Sequence, residues 1–153
     1  MKIISGAQTG VDRAALDAAL TANIPAGGWC PAGRKAEDGT IPEHYPVIEL
    51  PGSGYRQRTR QNVADSDGTV IIYFGYPSGG TELTISFCIE QKKPYLLIDT
   101  EVVSQQQAAQ RIMDFIERFK VSVLNAAGPR ASGEADAYPY TLAVMNTVCR
   151  ELE

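Results

Sequence analysis

The chain has 153 residues, of which 44% are apolar, 21% charged and 8% aromatic. That length and composition predict a single globular ligand-binding domain over residues 1–153 and exclude an intrinsically disordered chain. The net charge of −4 argues against nucleic acid as a partner, because non-specific binding to DNA or RNA depends on a basic surface.

The predicted elements of the first half begin with a short apolar strand and a helix whose apolar residues recur at three- and four-residue steps, as packing on one face requires. The next strand is interrupted by two glycines, and the helix that closes this half is polar. In order, we predict a strand at Lys2–Ser5, a helix at Gly10–Asn23, a strand at Ile24–Trp29, a polar loop at Pro31–Pro42, a strand at Pro46–Leu50 and a helix at Tyr55–Ala64.

The second half repeats the alternation of strand and helix. Its first strand, Thr69–Phe74, is β-branched and aromatic without a break, which is typical of a strand buried on both faces. We further predict a helix from Thr81 to Lys92, a strand at Tyr95–Asp99, a helix after the capping box at Ser104–Gln107, a strand at Val121–Leu124 and a helix at Ala137–Leu152. This alternation predicts a three-layer, Rossmann-like α/β fold with a mainly parallel sheet and helices on both faces.

Cysteine and histidine usage argues against several kinds of site. Cys30, Cys88 and Cys149 are odd in number and far apart, so we expect reduced thiols and no zinc site. The one histidine, His44, has no nucleophile elbow near it, which argues against a Ser-His-Asp hydrolase. No apolar run reaches membrane-spanning length and no secretory apolar segment opens the chain, so we expect a cytoplasmic protein without a membrane partner.

Two glycine-bearing loops, each between a strand and a helix, are the strongest candidates for a binding site. A helix N-terminus offers unpaired backbone N–H groups to an anion, and glycine lets phosphate oxygens approach the main chain. With the strand order 3-2-1-4-5-6, the loops face each other across the crevice where ligands bind in open parallel sheets. The residues expected to bind an anionic, nucleotide-like ligand are Gly6, Gln8, Thr9 and Gly10 in one loop and Gly79, Gly80 and Thr81 in the other.

Cations and polar residues elsewhere extend this candidate site. Arg34, next to Lys35, either pairs with oxyanion oxygens or forms salt bridges with nearby carboxylates. Arg58 and Asn62 are four residues apart and share one face of the polar helix, which is solvated, faces the ligand or faces another subunit. Arg130 follows the last strand, which the assumed order places at the far edge of the sheet, away from the crevice. It reaches a ligand only if its loop folds back or a neighbouring subunit supplies it.

Taken together, these motifs resemble those of the molybdenum-cofactor carrier family. That family lies within a Rossmann-like group that includes the lysine-decarboxylase-like phosphoribohydrolases. The resemblance covers nearly the whole chain. It rests on Ser5–Asp17 (SGAQTGVDRAALD), Gly28–Pro31 (GWCP), Gly33-Arg34, Ala36–Gly39 (AEDG), Arg58-Thr59, Asn62-Val63, Asp65–Thr69 (DSDGT), Gly79–Thr81 (GGT), Asn125 and Ala127–Arg130 (AGPR).

The resemblance implies a small homo-oligomeric protein that holds molybdenum cofactor, protects it and delivers it to an acceptor molybdoenzyme. This cargo is anionic at both ends, one bearing a phosphate and the other an oxo-metal dithiolene. It needs no protein ligand to the metal and no catalytic residue. Two alternatives stay open: a nucleoside-monophosphate phosphoribohydrolase, in which Glu82 is the acid of the Gly-Gly-Thr-Glu run, and a sensor of a nucleotide-derived ligand.

Overall fold

The computed structural model describes residues 1–153, which form five α-helices and nine short strands. The helices are α1 (Val11–Thr21), α2 (Tyr55–Asp65), α3 (Gly79–Glu90), α4 (Gln105–Phe119) and α5 (Ala137–Leu152). The strands are β1 (Lys2–Ile4), β2 (Ala26–Gly27), β3 (Trp29–Cys30), β4 (Lys35–Ala36), β5 (Gly39–Thr40), β6 (Ile48–Glu49), β7 (Gly68–Tyr73), β8 (Tyr95–Asp99) and β9 (Val123–Ala127). A short 3₁₀ turn at Ala32–Arg34 precedes β4.

The central sheet is parallel and has the order β2-β1-β9-β7-β8. Helices cover both of its faces because successive residues of its strands point in opposite directions. Val70 and Ile72 of β7 belong to the large core cluster that also contains buried residues of α1, α4 and α5. Ile71, between them, packs in a separate cluster with Phe87 of α3 and Val63 of α2. The three-layer Rossmann-like fold predicted from the sequence is therefore confirmed.

Several predicted elements lie where the sequence places them. The strand at Tyr95–Asp99 and the helix at Ala137–Leu152 have the predicted bounds. The capping box at the start of α4 is also present: the Gln107 amide donates to Ser104 Oγ at 3.1 Å, and the Ser104 amide donates to Gln107 Oε1 at 3.0 Å. The bounds of these elements therefore follow from local sequence patterns.

The predicted strand order 3-2-1-4-5-6 is wrong. The last strand, β9, lies in the middle of the sheet, with Leu124 opposite Ile3 of β1 and Ala126 opposite Val70 of β7. The residues of β9 do not reveal this position, because a buried strand has the same apolar pattern whichever strands are its neighbours. The loop after β9 consequently emerges between the two glycine-bearing loops.

The predicted second and third strands also differ from the structure. The second is divided at Gly28, whose φ of 125° and close approach to the Ser5 carbonyl leave no room for a Cβ. Its second part, β3, leaves the main sheet and pairs with β6 in a separate two-stranded sheet. The segment predicted as a polar loop contains the small antiparallel hairpin β4-β5.

None of the five helices combines the length and the apolar character that a membrane span requires.

Candidate functional site

A cleft of about 430 Å³ opens at the carboxyl edge of the central sheet. Loops that follow β1, β7 and β9 form its floor, and α2 and the first turn of α3 form its walls. The two glycine-bearing loops thus border one cleft, although β9 and its loop lie between them. This is the edge at which open parallel sheets bind their ligands.

The loop after β1 is already occupied by a carboxylate of the protein itself. Asp12 Oδ2 accepts hydrogen bonds from the Gln8 amide at 3.4 Å and from Arg58 Nη1 at 3.3 Å, and the nearby Gly6 amide also favours the charged form of this carboxylate. The amide of Val11, the first residue of α1, donates to the carbonyl of Pro129. The expectation that this loop offers a row of free amides to a ligand is therefore wrong, since Asp12 takes the anion's place.

Burial of Asp12 has an electrostatic consequence. Its side chain is almost inaccessible to solvent, and this burial raises the pKa of its carboxyl from an ordinary 3.8 to about 6. The positive charge of Arg58 and the amide donors at Gln8 and Gly6 oppose that rise but do not cancel it. Asp12 and Arg58 thus form a buried ion pair at the floor of the cleft, in which the carboxylate positions the guanidinium.

The loop before α3 differs, because its amides have no partner. The N–H groups of Gly79 and Gly80, the first two residues of α3, donate to no acceptor in the protein, and Ser78 makes no side-chain capping bond. A Cβ added at either glycine would meet no atom within 4 Å. This helix N-terminus therefore offers free donors, open space and the positive end of the helix dipole to the cleft.

Two buried side chains in the cleft wall have donors without acceptors. Gln8 Nε2 and Arg58 Nε are both inaccessible to solvent and have no hydrogen-bond partner, and Gln8 and Arg58 are 6% and 7% exposed. Arg58 lies over Gly6, where a Cβ would be 1.8 Å from Arg58 Nη1, so only glycine allows this position. Unpaired buried donors are costly in a protein, and an acceptor-rich ligand would satisfy them once a small movement of the wall exposes them.

The structure brings six of the ten predicted site residues to the cleft and leaves four outside it. Thr9 bonds instead to Glu37 and to the amide of Ala131. Asn62 reaches the cleft, but its side-chain amide is paired with both backbone groups of Trp29. The cleft is lined by Gly6, Gln8, Arg58, Asn62, Gly80 and Thr81, and it is not lined by Thr9, Gly10, Arg34 or Gly79, although the Gly79 amide is free beside it.

Arg34 holds a loop and is not positioned to contact a ligand in the cleft. Its guanidinium donates to four backbone carbonyls of residues 41–47, at distances of 2.8 to 3.1 Å. It also forms no salt bridge, since Asp38 pairs with Arg13 and Glu37 bonds to Thr9. Neither role considered from the sequence is therefore observed, because the loop's own carbonyls compete successfully for the guanidinium.

Sequence reasoning missed Asp12 and Tyr55 and expected Arg130 away from the crevice. A signal existed for Asp12, because an acidic residue in the first turn of a helix is favoured beside free amides. Tyr55 is three residues before Arg58, so both lie on one helix face. Arg130 lines the cleft instead of lying at a far edge, and the misplaced strand β9 accounts for that error. Glu82, the acid required by the phosphoribohydrolase alternative, is exposed and does not line the cleft.

Comparisons with known proteins agree on the family. Residues 3–149 match the family described as "Circularly permutated YpsA SLOG family". The chain is also similar to a crystal structure, at 1.45 Å resolution, of a protein named "Putative molybdenum carrier protein" from Syntrophus aciditrophicus SB. The two share 48% sequence identity over 96% of this chain and 93% of that chain, with a TM-score of 0.94. None of the curated proteins matches this chain.

Proposed function

Because this chain belongs to the circularly permutated YpsA SLOG family, we propose that its cleft binds an anionic small molecule, and that this molecule is molybdenum cofactor. The protein would carry the cofactor and protect it from solvent. The observation that carries the proposal is the set of hydrogen-bond donors in the cleft that have no acceptor in the protein: the amides of Gly79 and Gly80, and side-chain N–H groups of Gln8 and Arg58.

Charge in the cleft favours an anion over a cation. Arg56, Arg58 and Arg130 line it, and Asp12 and Glu134 are the carboxylates among its lining residues. Asp12 is committed to Arg58 and to the loop after β1, so it does not oppose a second anion as strongly as a free carboxylate would. Guanidinium groups and helix N-terminal amides are the donors that proteins use for phosphate and related oxyanions.

Molybdenum cofactor suits this chemistry at both of its ends. Its phosphate and its oxo-metal end each present several acceptor oxygens, and binding requires no protein ligand to the metal. The described residues contain no cluster of histidine, cysteine or carboxylate side chains able to hold a metal ion directly. The name of the solved structure that is 48% identical also supports molybdenum-related cargo.

The direct test is purification from cells that make the cofactor and from cells that lack the pterin pathway. We expect molybdenum by elemental analysis and a pterin by mass spectrometry only in the first preparation, in equal molar amounts. The protein from pterin-deficient cells should take up added cofactor. A protein that contains neither component and takes up none would contradict the proposal.

Delivery is the second part of the proposed function. We expect residues 1–153 to act as one binding unit in a homo-oligomer, and the loaded protein to activate a cofactor-free molybdoenzyme faster than an equal amount of free cofactor. Light scattering measures the oligomeric state, and the enzyme's recovered activity measures delivery. If the molybdoenzyme is activated at the same rate by the loaded protein and by free cofactor, the delivery role is contradicted and only storage is supported.

A further inference from the structure

Three cationic side chains surround one aromatic ring at the wall of the cleft. The guanidinium carbons of Arg58 and Arg130 both lie 5.4 Å from the centroid of the Tyr55 ring, and Lys35 Nζ lies 5.9 Å from it. Arg58 comes from α2, Arg130 from the loop after β9, and Lys35 from β4. Three separate segments of the chain therefore converge on this ring, which attracts each cation through its π face.

Two of these cations, Arg58 and Arg130, are poorly compensated by the protein. Arg58 pairs with Asp12 through Nη1 alone, and Arg130 takes part in none of the salt bridges of the protein and donates no side-chain hydrogen bond. The positive charge of Arg130 helps to lower the pKa of Glu37, but the carboxylate of Glu37 accepts its hydrogen bond from Thr9. In a chain of net charge −4, gathering like charges around one ring costs energy that a bound anion would recover.

We propose that Arg58 and Arg130, held against Tyr55, form a second oxyanion subsite in the cleft, separate from the free amides of Gly79 and Gly80. The proposal rests on the proposed function in one respect, namely that the cleft binds an anionic small molecule. It adds that the ligand carries two oxyanion groups, with one at these two guanidinium groups and the other at the N-terminus of α3. Arg58 is fixed by burial, whereas Arg130 is exposed and contacts the Tyr55 ring.

The experiment uses tungstate, a tetrahedral dianion that anomalous diffraction locates and elemental analysis counts after equilibrium dialysis. We expect two tungstate ions in the cleft of the wild-type protein, one at each subsite. Arg130→Gln should lose the ion at the arginine pair, with affinity there at least tenfold lower, and should keep the ion at α3. Arg60→Gln is the matched control, because Arg60 is an exposed cation of α2 paired with Glu90 outside the cleft.

A second pair of variants tests the ring itself. The Tyr55 hydroxyl makes no hydrogen bond, so Tyr55→Phe should retain both ions, whereas Tyr55→Leu should weaken the ion at the arginine pair and spare the one at α3. Two ions bound by Arg130→Gln with wild-type affinity would overturn the proposal. So would a wild-type cleft that binds tungstate only at α3, or only at crystal concentration and not in dialysis.

These outcomes are separate from the fate of the cofactor proposal. If the protein never contains or takes up molybdenum cofactor, but tungstate still binds at two places and one is lost in Arg130→Gln, the subsite stands and another ligand with two oxyanions is required. If the cofactor binds equally well to wild type and Arg130→Gln, the carrier function stands and the subsite is wrong.

Discussion

Replacing Gly80 with aspartate separates ligand binding from fold stability at α3. Gly80 is the second residue of the helix, and a Cβ there meets no atom within 4 Å, so the new side chain has no steric cost. Losing a helical glycine and adding a negative charge in the first turn both favour the helix, each by about 0.3 to 1 kcal/mol. We therefore expect the free energy of unfolding of Gly80→Asp to equal or exceed that of wild type.

The same charge opposes an anion at the free amides. Two like unit charges about 4 Å apart repel by about 4 kcal/mol at the effective dielectric constant of a protein surface, and half of that amount lowers affinity more than tenfold. Equilibrium dialysis with tungstate measures the affinity, and urea unfolding measures the stability. Gln106→Asp is the control, since it adds the same charge at the second residue of α4, outside the cleft.

Two results would refute this reasoning. One is a folded Gly80→Asp protein with wild-type affinity at α3, which would mean that the amides of Gly79 and Gly80 bind no ligand. The other is an equal loss of affinity in Gln106→Asp, which would attribute the effect to net charge and not to the position of the new carboxylate.

Four further predictions concern the residues around the cleft. Burial raises the pKa of Asp12 from 3.8 to about 6, so the folded protein binds that proton more tightly than the unfolded chain does. The contribution of Asp12 to the free energy of unfolding should therefore fall by about 2 kcal/mol as the pH rises from 4 to 6, and this fall, measured by urea unfolding at each pH, should be absent in Asp12→Asn. Gly6→Ala should displace Arg58 from Asp12, because the new Cβ occupies the position of the guanidinium. The free energy of unfolding should fall by about 3 kcal/mol and the tungstate affinity at least tenfold. A crystal structure of the variant with the guanidinium unmoved would contradict this. Arg34→Ala should cost about 3 kcal/mol by freeing four carbonyls, yet leave the tungstate affinity of the folded protein unchanged in dialysis. Glu82→Gln should change neither tungstate affinity nor cofactor content, because Glu82 does not line the cleft. If the wild-type protein releases free base from nucleoside monophosphates and Glu82→Gln does not, the hydrolase alternative is favoured instead.

The fold class was predictable because it depends on local patterns. An unbroken β-branched run predicts β7, and a capping box followed by apolar residues at helical spacing predicts α4. The neighbours of a strand depend instead on tertiary packing, which no local pattern reports. This is why β9 was misplaced, and why Arg130 was expected far from a cleft that it lines.

The candidate site was predictable only in part, for a different reason. Residue type identifies which groups are able to bind an anion, but not which groups the protein has already paired. Asp12 fills the first loop, and loop carbonyls consume the guanidinium of Arg34. The amides of Gly79 and Gly80 remain free only because nothing in the chain reaches them. Competition among partners inside the molecule therefore decides which of the predicted donors stay available.

The central place of β9 determines when the sheet and the cleft can assemble during synthesis. Until residues 123–127 leave the ribosome, β1 and β2 form one fragment and β7 and β8 another, with no strand to join them. The nascent chain therefore lacks both a continuous hydrophobic core and a cleft until β9 is in place. A chain terminated before β9 exposes two unsatisfied strand edges that invite aggregation.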